Sequence, residues 1–571
     1  MYRTGAEITI DLLERQGVRL VAGIPGGTLL PLYDALGKSR QIRHILARHE
    51  QAAGFIAQGV ARISGRPGVC FATSGPGVTN MVTALADAKL DSVPLVCIAG
   101  QVPQHLIGTD AFQEVPTLDM VRPITKAAFF ASRPEQLFDI IPEAFRQAQS
   151  GRPGPVLIDL PKDVQTQPVS VSTSTLPIET PSAVASGGKP GHAEFPASPE
   201  AFDSVAALLQ AAERPLLYVG GGVAKAGASG LLCQLAEKAD IPVTTTLMAL
   251  GALPAGHRLL MGMLGMHGAR WTNQVIEECD LLLAIGARFD DRATGEVSHF
   301  ASNARIIHID IDPREIGKIK RPEVGIVADA RAALAALLAR TPPAGRPTWH
   351  ARIERLKALY PLQKPQQSRL CSPYGILEAV STLMPADVIV TTDVGQHQMW
   401  VAQAFPFKRP DRWLTSGGLG TMGFGVPAAI GAALSVPEAT VLCFTGDGSL
   451  LMNIQELATL AELQLNVKII LFDNASLGLV RQQQTLFYDQ NLVACDYTRP
   501  SDFLAIATAF GLTAISLSDD WLSYDRLQQA LGSPDPVLIR VPIAADWQVL
   551  PMVRPGTANT AALDYRRPFT E

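Results

Sequence analysis

No Cys-x-x-Cys pair occurs anywhere in the 571 residues, and the seven cysteines are scattered. That odd, unpatterned set argues against a disulfide framework or a structural zinc, and for a reducing, cytoplasmic location. A basic excess is also missing: 48 Lys and Arg stand against 53 Asp and Glu, for a formal net charge of −5. No nucleic-acid-binding surface is expected on that balance. The opening MYRTGAEITIDLLERQGV lacks an apolar run and carries Glu7 and Asp11 early, so no signal or transit peptide is expected. One stretch, 417–436 (GGLGTMGFGVPAAIGAALSV), carries no charge and imitates a membrane span. Its glycines and Pro427 read instead as a loop feeding a buried helix, so no membrane partner is expected. No short-period repeat is present.

What is present is an alternation. Apolar residues make up 47% of the chain, with 48 Gly and 42 Pro, which fits an ordinary globular α/β protein. The length suggests about three or four domains. Strand-like runs such as RLVAGI, GVCFATS, PLVCIAG and PVLIDL alternate with helical patterns, the signature of βαβ units around parallel sheets. Two composition breaks interrupt them. One is Ser/Thr/Pro/Gly-rich, at 165–199; the other, TPPAGRPTW, covers 341–349. The expected fold is α/β, three doubly wound domains with parallel sheets. The boundaries are 1–165, a linker at 166–199, 200–340, a linker at 341–365, 366–555 and a tail at 556–571. The first and last blocks share a coarse plan, with glycines at strand ends.

The stretch 446–474, GDGSLLMNIQELATLAELQLNVKIILFDN, places a carboxylate and an amide oxygen one helix and one strand apart. ATVLCFTGDGS reads as a buried strand ending in a tight turn, and VKIILFDN as a second strand. Carboxyl ends of neighbouring parallel strands lie together, so Asp447 and Asn474 converge. Two hard oxygens suit Mg²⁺ shared with phosphate. The GDG triplet alone is no more than a turn; the whole spacing points to a metal–phosphate clamp.

This stretch resembles the fingerprint of thiamin diphosphate enzymes, which opens with GDG and closes with NN; here the close is Asp473–Asn474. The resemblance implies that Asp447, Asn474 and the Ser476 carbonyl ligate Mg²⁺. It further implies that Gly446, Gly448, Ser449, Gly478, Gly395, Gln396 and His397 line the diphosphate site. LARHEQAAGFIAQGVAR resembles the family's RHEQ motif. By that match Glu50 bonds N1′ of the aminopyrimidine and promotes the imino tautomer. Burial at an apolar helix start can hold such a carboxyl protonated. Pro76 and Asn80 belong to the same half-site. SGGLGTMGFG resembles the segment that bends the cofactor: the Gly420 carbonyl accepts from the 4′-amino group and Met422 wedges beneath. In the family Glu50 and the Asp447 clamp come from different subunits, which implies a homodimer or dimer of dimers.

Further segments resemble acetolactate synthase (acetohydroxyacid synthase) catalytic large subunits, of the class I isozyme type. They are GIPGGTLLPLYDAL, TSGPGVTN, GTDAFQE, GRPGPVLIDLPKDV, GMLGMHG, GARFDDR and DVGQHQMW, and they fall in all three blocks. The blocks are then pyrimidine-binding, central FAD-binding and diphosphate-binding domains. The middle block's matches imply a structural, non-redox FAD held by Gly220, Gly221, Gly222, Thr246, Leu247, Met266, His267, Gly286, Arg288, Asp290, Arg292, Asp310 and Asp329. The implied reaction decarboxylates pyruvate and joins its two-carbon unit to pyruvate or 2-oxobutanoate, a carboligation in branched-chain amino-acid synthesis. Gly27 lies at the reacting centre and Gln113 near the cofactor. Lys162 lines the entrance, and Arg292 holds the acceptor carboxylate through paired bonds.

Leu479, Val480 and Gln483 set selectivity. Many family members carry Met at the position of Leu479 and Trp at that of Gln483. Gln483 removes a flat apolar wall, so discrimination by one methylene weakens. A flavin-linked pyruvate oxidase or decarboxylase shares Glu50, Asp447 and Asn474, but RFDDR, GTDAFQE and Gln113 argue against it. The intact acid and clamp argue against a non-catalytic paralogue. No regulatory domain is expected after the last block; family members usually pair with a separate small regulatory subunit.

Overall fold

The structure, a computed structural model, describes residues 2–170 and 197–565. Most of the first expected linker (171–196) and the end of the expected tail (566–571) lie outside the described residues. Three six-stranded sheets follow one another along the chain. Every strand pairing inside them is parallel. Strands such as Leu95–Gln101 and Val467–Asp473 are buried throughout, as sheets covered on both faces require.

The N-terminal sheet runs Arg43–Leu46, Leu20–Gly23, Gly68–Ala72, Leu95–Gln101, Pro155–Pro161, Ala127–Phe130. Numbered along the chain this is order 2-1-3-4-6-5. The C-terminal sheet repeats that order with Trp413–Leu414, Ile389–Thr392, Val441–Gly446, Val467–Asp473, Val537–Pro542 and Thr513–Ser516. The shared plan expected of the first and last blocks is therefore a shared strand order. The central sheet differs: Leu260–Met263, Val243–Thr245, Pro215–Val219, Leu281–Ile285, Arg305–Asp310, Val324–Val327. Its order, 3-2-1-4-5-6, is the dinucleotide-binding one.

The outer sheets are joined by two helices, Glu50–Ser64 and Gly425–Ser435. A Cβ on Gly59 would lie 2.3 Å from the Ala428 carbonyl oxygen, and one on Gly431 2.0 Å from that of Ile56. Only hydrogen fits at this crossing. The uncharged stretch 417–436 is thus a loop followed by an 11-residue buried helix. Among the described residues no helix is long and apolar enough to cross a membrane.

Two connections differ from expectation. Pro168–Ser170 pairs antiparallel with Tyr2–Thr4, so the chain returns to its N-terminus beyond residue 165. The second expected linker, 341–365, holds the helix Pro347–Leu359. Trp349, Ile353 and Leu356 recur at helical spacing and pack with Leu216, Tyr218 and Phe289 against the central sheet. Trp349 is 2% exposed and donates from its indole nitrogen to the Pro215 carbonyl at 3.2 Å. Trp349→Ala should therefore destabilise the central domain by about 3–5 kcal/mol, read from urea unfolding. A change below about 1 kcal/mol would make the helix a mere connector.

Candidate active site

The C-terminal sheet changes direction between Ile389–Thr392 and Val441–Gly446, and a cleft opens at their carboxyl ends. It takes in Gly395, Gln396, His397, Gly420, Met422, Gly446, Asp447, Gly448, Ser449, Asn474, Ser476, Gly478, Leu479, Val480 and Gln483. Sequence motifs drawn from four separate stretches thus meet in one place. Gly446 caps a short helix, Asp447–Met452, so the expected GDG turn is the start of a helix.

Asp447 is 3% exposed. Its Oδ1 accepts from the Gly448 amide at 2.7 Å and its Oδ2 from the Ser476 amide at 3.2 Å. The same Ser476 amide donates to Asn474 Oδ1 at 3.1 Å. Carboxylate and amide oxygens therefore converge on one point, a hard-donor set of the kind that Mg²⁺ takes. The Asn474 amide nitrogen donates to Gln396 Oε1 at 3.4 Å, and Gln396 in turn donates to Gln482 at 2.9 Å. This fixes the amide's orientation.

The cleft also fits a diphosphate. Cβ atoms on Gly395 and Gly446 would lie 2.8 and 2.9 Å from the His397 ring, so both turns hug it. His397 Nε2 and the Ser476 hydroxyl are buried without a hydrogen-bond partner among the described residues. Burial pushes the His397 imidazole down to about 3, so near neutral pH it is uncharged. Gly420 takes φ +71°, which favours glycine, and its would-be Cβ is 3.9 Å from Val394. Val394, Trp400, Phe472, Leu477 and Ile543 complete the wall; Val394, Trp400 and Phe472 fall inside quoted motifs, and Ile543 carried no signal.

The N-terminal candidates form a separate group. Glu50 begins its helix and accepts from Asn80 Nδ2 at 2.9 Å. It is half-buried rather than sealed in this chain. Pro76 opens the helix Pro76–Leu90, which carries Asn80. Gln113, at φ +62°, packs on Gly75: a Cβ there would lie 2.9 Å from it. Gly27 faces open space, with nothing within 4 Å of a would-be Cβ. Lys162 follows the end of Pro155–Pro161 and is half-buried. Glu50, Gly27 and Gln113 do not line the Asp447 cleft of their own chain.

A second cleft lies at the switch point of the central sheet, between it and the N-terminal domain. Gly220, Gly221 and Gly222 follow the strand Pro215–Val219, and Gly286 follows Leu281–Ile285. A Cβ on Gly222 would lie 2.8 Å from Gly286 Cα, so the two turns touch. Thr246, Arg288, Asp290, Asp310 and Asp329 also line it. Burial raises the Asp310 carboxyl to about 6. Glycine turns, a cation and acids at strand ends suit a dinucleotide with pyrophosphate and ribose hydroxyls.

Four expected flavin residues lie outside this cleft. The Leu247 carbonyl accepts from Trp413 Nε1 at 2.8 Å, and its side chain packs on the C-terminal core. Met266 packs with Leu550, Met552 and Val553. His267 is buried; its carbonyl accepts from Gln403 at 2.9 Å. Arg292 is 63% exposed beside Asp291 at 3.5 Å. Strand-end turns point into the cleft, whereas these four sit past the turn, where the chain has moved to the C-terminal domain or the surface. Sequence reading missed Arg152, Met248 and Asp91, which do line it. Arg152 falls inside a quoted motif and Met248 directly follows the named Thr246 and Leu247; Asp91 carried no signal.

Comparison with known proteins gives the family. Family models described as the N-terminal TPP binding, central and C-terminal TPP binding domains of thiamine pyrophosphate enzymes match residues 3–120, 202–337 and 393–541. The chain is 54% identical over 557 residues to acetolactate synthase isozyme 1 large subunit of Escherichia coli, covering 98% of this chain and 97% of that one. It is 46% identical to an acetolactate synthase large subunit of Parasynechococcus marenigrum, with 97% and 90% covered. For the Corynebacterium glutamicum large subunit the identity is 45%, with 98% and 89% covered. The chain belongs to the acetolactate synthase large-subunit family. As a member of that family it is a thiamin diphosphate-dependent enzyme.

Burial, followed by the nearby Asp473 charge, raises the Asp447 carboxyl from 3.8 to about 6. The folded value exceeds the unfolded one, so the fold binds the extra proton between them. Stability of the cation-free chain should therefore fall as pH rises from about 4 to about 6. Mg²⁺ should cancel that fall by favouring the carboxylate. Thermal midpoints against pH, with and without Mg²⁺, check this; Asp447→Asn should flatten both profiles.

Proposed function

We propose that this chain is the catalytic subunit of an acetolactate synthase in branched-chain amino-acid biosynthesis. It takes pyruvate, releases CO₂ and joins the remaining two-carbon unit to pyruvate or 2-oxobutanoate. The products are 2-acetolactate and 2-aceto-2-hydroxybutanoate. The observation that carries this reading is the Asp447–Asn474–Ser476 convergence inside a cleft that also holds Gly420, Met422 and Gln483. The synthase relatives favour carboligation over a flavin-linked oxidase.

Bound thiamin diphosphate supplies a nucleophilic carbon and a sink for the charge that CO₂ leaves behind. Asp447, Asn474 and the Ser476 carbonyl hold Mg²⁺ against its diphosphate, with Gly395, Gln396, His397 and Ser449 beside them. Glu50, steadied by Asn80, moves a proton at the aminopyrimidine ring. The Gly420 carbonyl would accept from the ring's amino group. Gly27 and Gln113 shape the reacting centre, and Lys162 draws the anionic acid to the entrance. Arg292 pairs with the acceptor carboxylate; its exposure in one chain leaves the guanidinium open to an anion. FAD occupies the central cleft as a structural group, since the reaction has no net redox change.

Glu50 lies outside the Asp447 cleft of its own chain. This supports a homodimer, or dimer of dimers, whose sites each take the acid from the partner. A small regulatory subunit fits relatives named as large subunits. We place the enzyme in the cytoplasm, with domains built on 1–165, 200–340 and 366–555, the first extended by the strand Pro168–Ser170 and the central one by the helix Pro347–Leu359.

The full chain given pyruvate, thiamin diphosphate, Mg²⁺ and FAD should form acetolactate without matching oxygen uptake. Acetaldehyde, or acetate coupled to oxygen, as main product would overturn the assignment. Glu50→Gln should lower kcat by about 10²–10⁴-fold while the cofactor still binds. In mixed-substrate assays the native chain should use pyruvate and 2-oxobutanoate as acceptors with little preference. Gln483→Trp should shift product toward the larger acceptor by about tenfold or more. A native chain already strongly selective for 2-oxobutanoate would remove Gln483 from the selectivity site.

A further inference from the structure

The flavin reading leaves a question: what does a redox-inert dinucleotide do for a thiamin site in another domain? The two clefts have no lining residue in common, but contacts join them. The segment Ser416–Thr421 carries Gly420 and contains three glycines, whose side chains offer nothing to hold it. Its backbone is held from the N-terminal domain instead. Asp91 accepts from the Gly417 amide at 3.1 Å and the Gly418 amide at 2.7 Å. Asp87 accepts from the Ser416 hydroxyl and, at 3.1 Å, from that of Thr421. The Ser416 oxygen accepts in turn from the Thr421 amide at 2.8 Å. Both carboxylates belong to the end of the helix that carries Asn80, the partner of Glu50.

Asp91 also lines the dinucleotide cleft, as does Met248. Met248 sits between the two sites. A Cβ on Gly221, in the dinucleotide turn, would lie 3.1 Å from Met248 Cβ; one on Gly417 would lie 2.2 Å from its sulfur. The next residue back, Leu247, accepts from Trp413 just upstream of the segment.

We propose that a dinucleotide seated in the central cleft fixes the Ser416–Thr421 segment through Asp91 and Met248, and so organises the thiamin site. Asp91 and Met248 are positioning residues in this scheme, and the flavin's contribution is mechanical. The proposal rests on the flavin reading of the cleft. Coupling of this kind is reciprocal: FAD must tighten thiamin diphosphate binding by the factor by which thiamin diphosphate tightens FAD.

The test uses the full chain stripped of cofactors, with binding of thiamin diphosphate–Mg²⁺ measured by calorimetry with and without FAD. We expect FAD to tighten it about tenfold. Asp91→Asn and Met248→Ala should each bind both cofactors singly yet bring the factor close to one. Hydrogen exchange on the unmutated chain is the second readout, and does not depend on variants folding. FAD alone, without thiamin diphosphate, should slow exchange at the amides of Gly417 and Gly418. FAD that binds but leaves both the thiamin affinity and these amides unchanged would overturn the coupling and spare the flavin reading. FAD that fails to bind at all would overturn both. Variants that fold and keep the full native factor would overturn the roles of Asp91 and Met248.

Discussion

The rest of the molecule depends on one close contact, the crossing of Glu50–Ser64 with Gly425–Ser435. Gly59 and Gly431 let backbone meet backbone there. Glycine inside a helix costs about 1 kcal/mol relative to alanine, so two of them at one crossing need a return. The return is a rigid register between the N-terminal and C-terminal sheets. Phe55 and Phe424 meet edge to face beside the crossing, at 5.3 Å between ring centres. The helix that begins with Glu50 and the helix that follows the Gly420 segment are thus packed backbone to backbone. Glu50 does not line the Asp447 cleft of its own chain.

The sheets set where chemistry can occur. In each, helices leave in opposite directions from two neighbouring strands, and a crevice opens at their carboxyl ends. In the C-terminal sheet that crevice holds Asp447 and His397; in the central sheet it holds Gly220–Gly222 and Gly286. In the N-terminal sheet the corresponding turns carry Gly27 and Pro76, and the Thr28 and Thr73 hydroxyls tie them together at 2.9 Å. Buried polar atoms cost free energy unless paired. Among the described residues, His397 Nε2 and the Ser476 hydroxyl are buried unpaired at one crevice, which is where a charged ligand can offset that cost.

Legibility in the sequence followed the same logic. Alternating apolar runs gave the parallel sheets, because strands buried on both faces must be apolar. The meeting of Asp447, Asn474 and the glycines could be read because the carboxyl ends of neighbouring parallel strands lie together. Trp349 was hidden by its prolines and glycine, which read as a break although the next turns carry a helical apolar stripe. Leu247, Met266, His267 and Arg292 sit in matched motifs, yet the chain turns them toward the C-terminal domain or the surface. Contacts of that kind join distant segments, and no local pattern encodes them. Asp91 is the sharper case. Its neighbours are Arg62 and two backbone amides of residues over three hundred positions away.

The charges around that residue argue for position rather than stability. Arg62 sits 2.7 Å from Asp91 and 3.6 Å from Asp87, all three nearly sealed from solvent. Burial raises the Asp91 carboxyl, but Arg62 and the Gly417 and Gly418 amides override it, so it lies below its ordinary value. Asp87 goes the other way, raised to about 6 by burial and then by Asp91. One cation facing two acids in such a place gains little net stability, since apolar groups of the same volume often hold a fold as well. Apolar groups cannot receive a glycine amide. A turn of three glycines has no side chains to pack and the most backbone freedom to lose. Hydrogen bonds to a charged acceptor, worth about 1.5–3 kcal/mol each, are what can confine it. Two carboxylates anchored by a buried guanidinium, which also lies 5.1 Å from the Phe424 ring centre, supply them where the turn needs them.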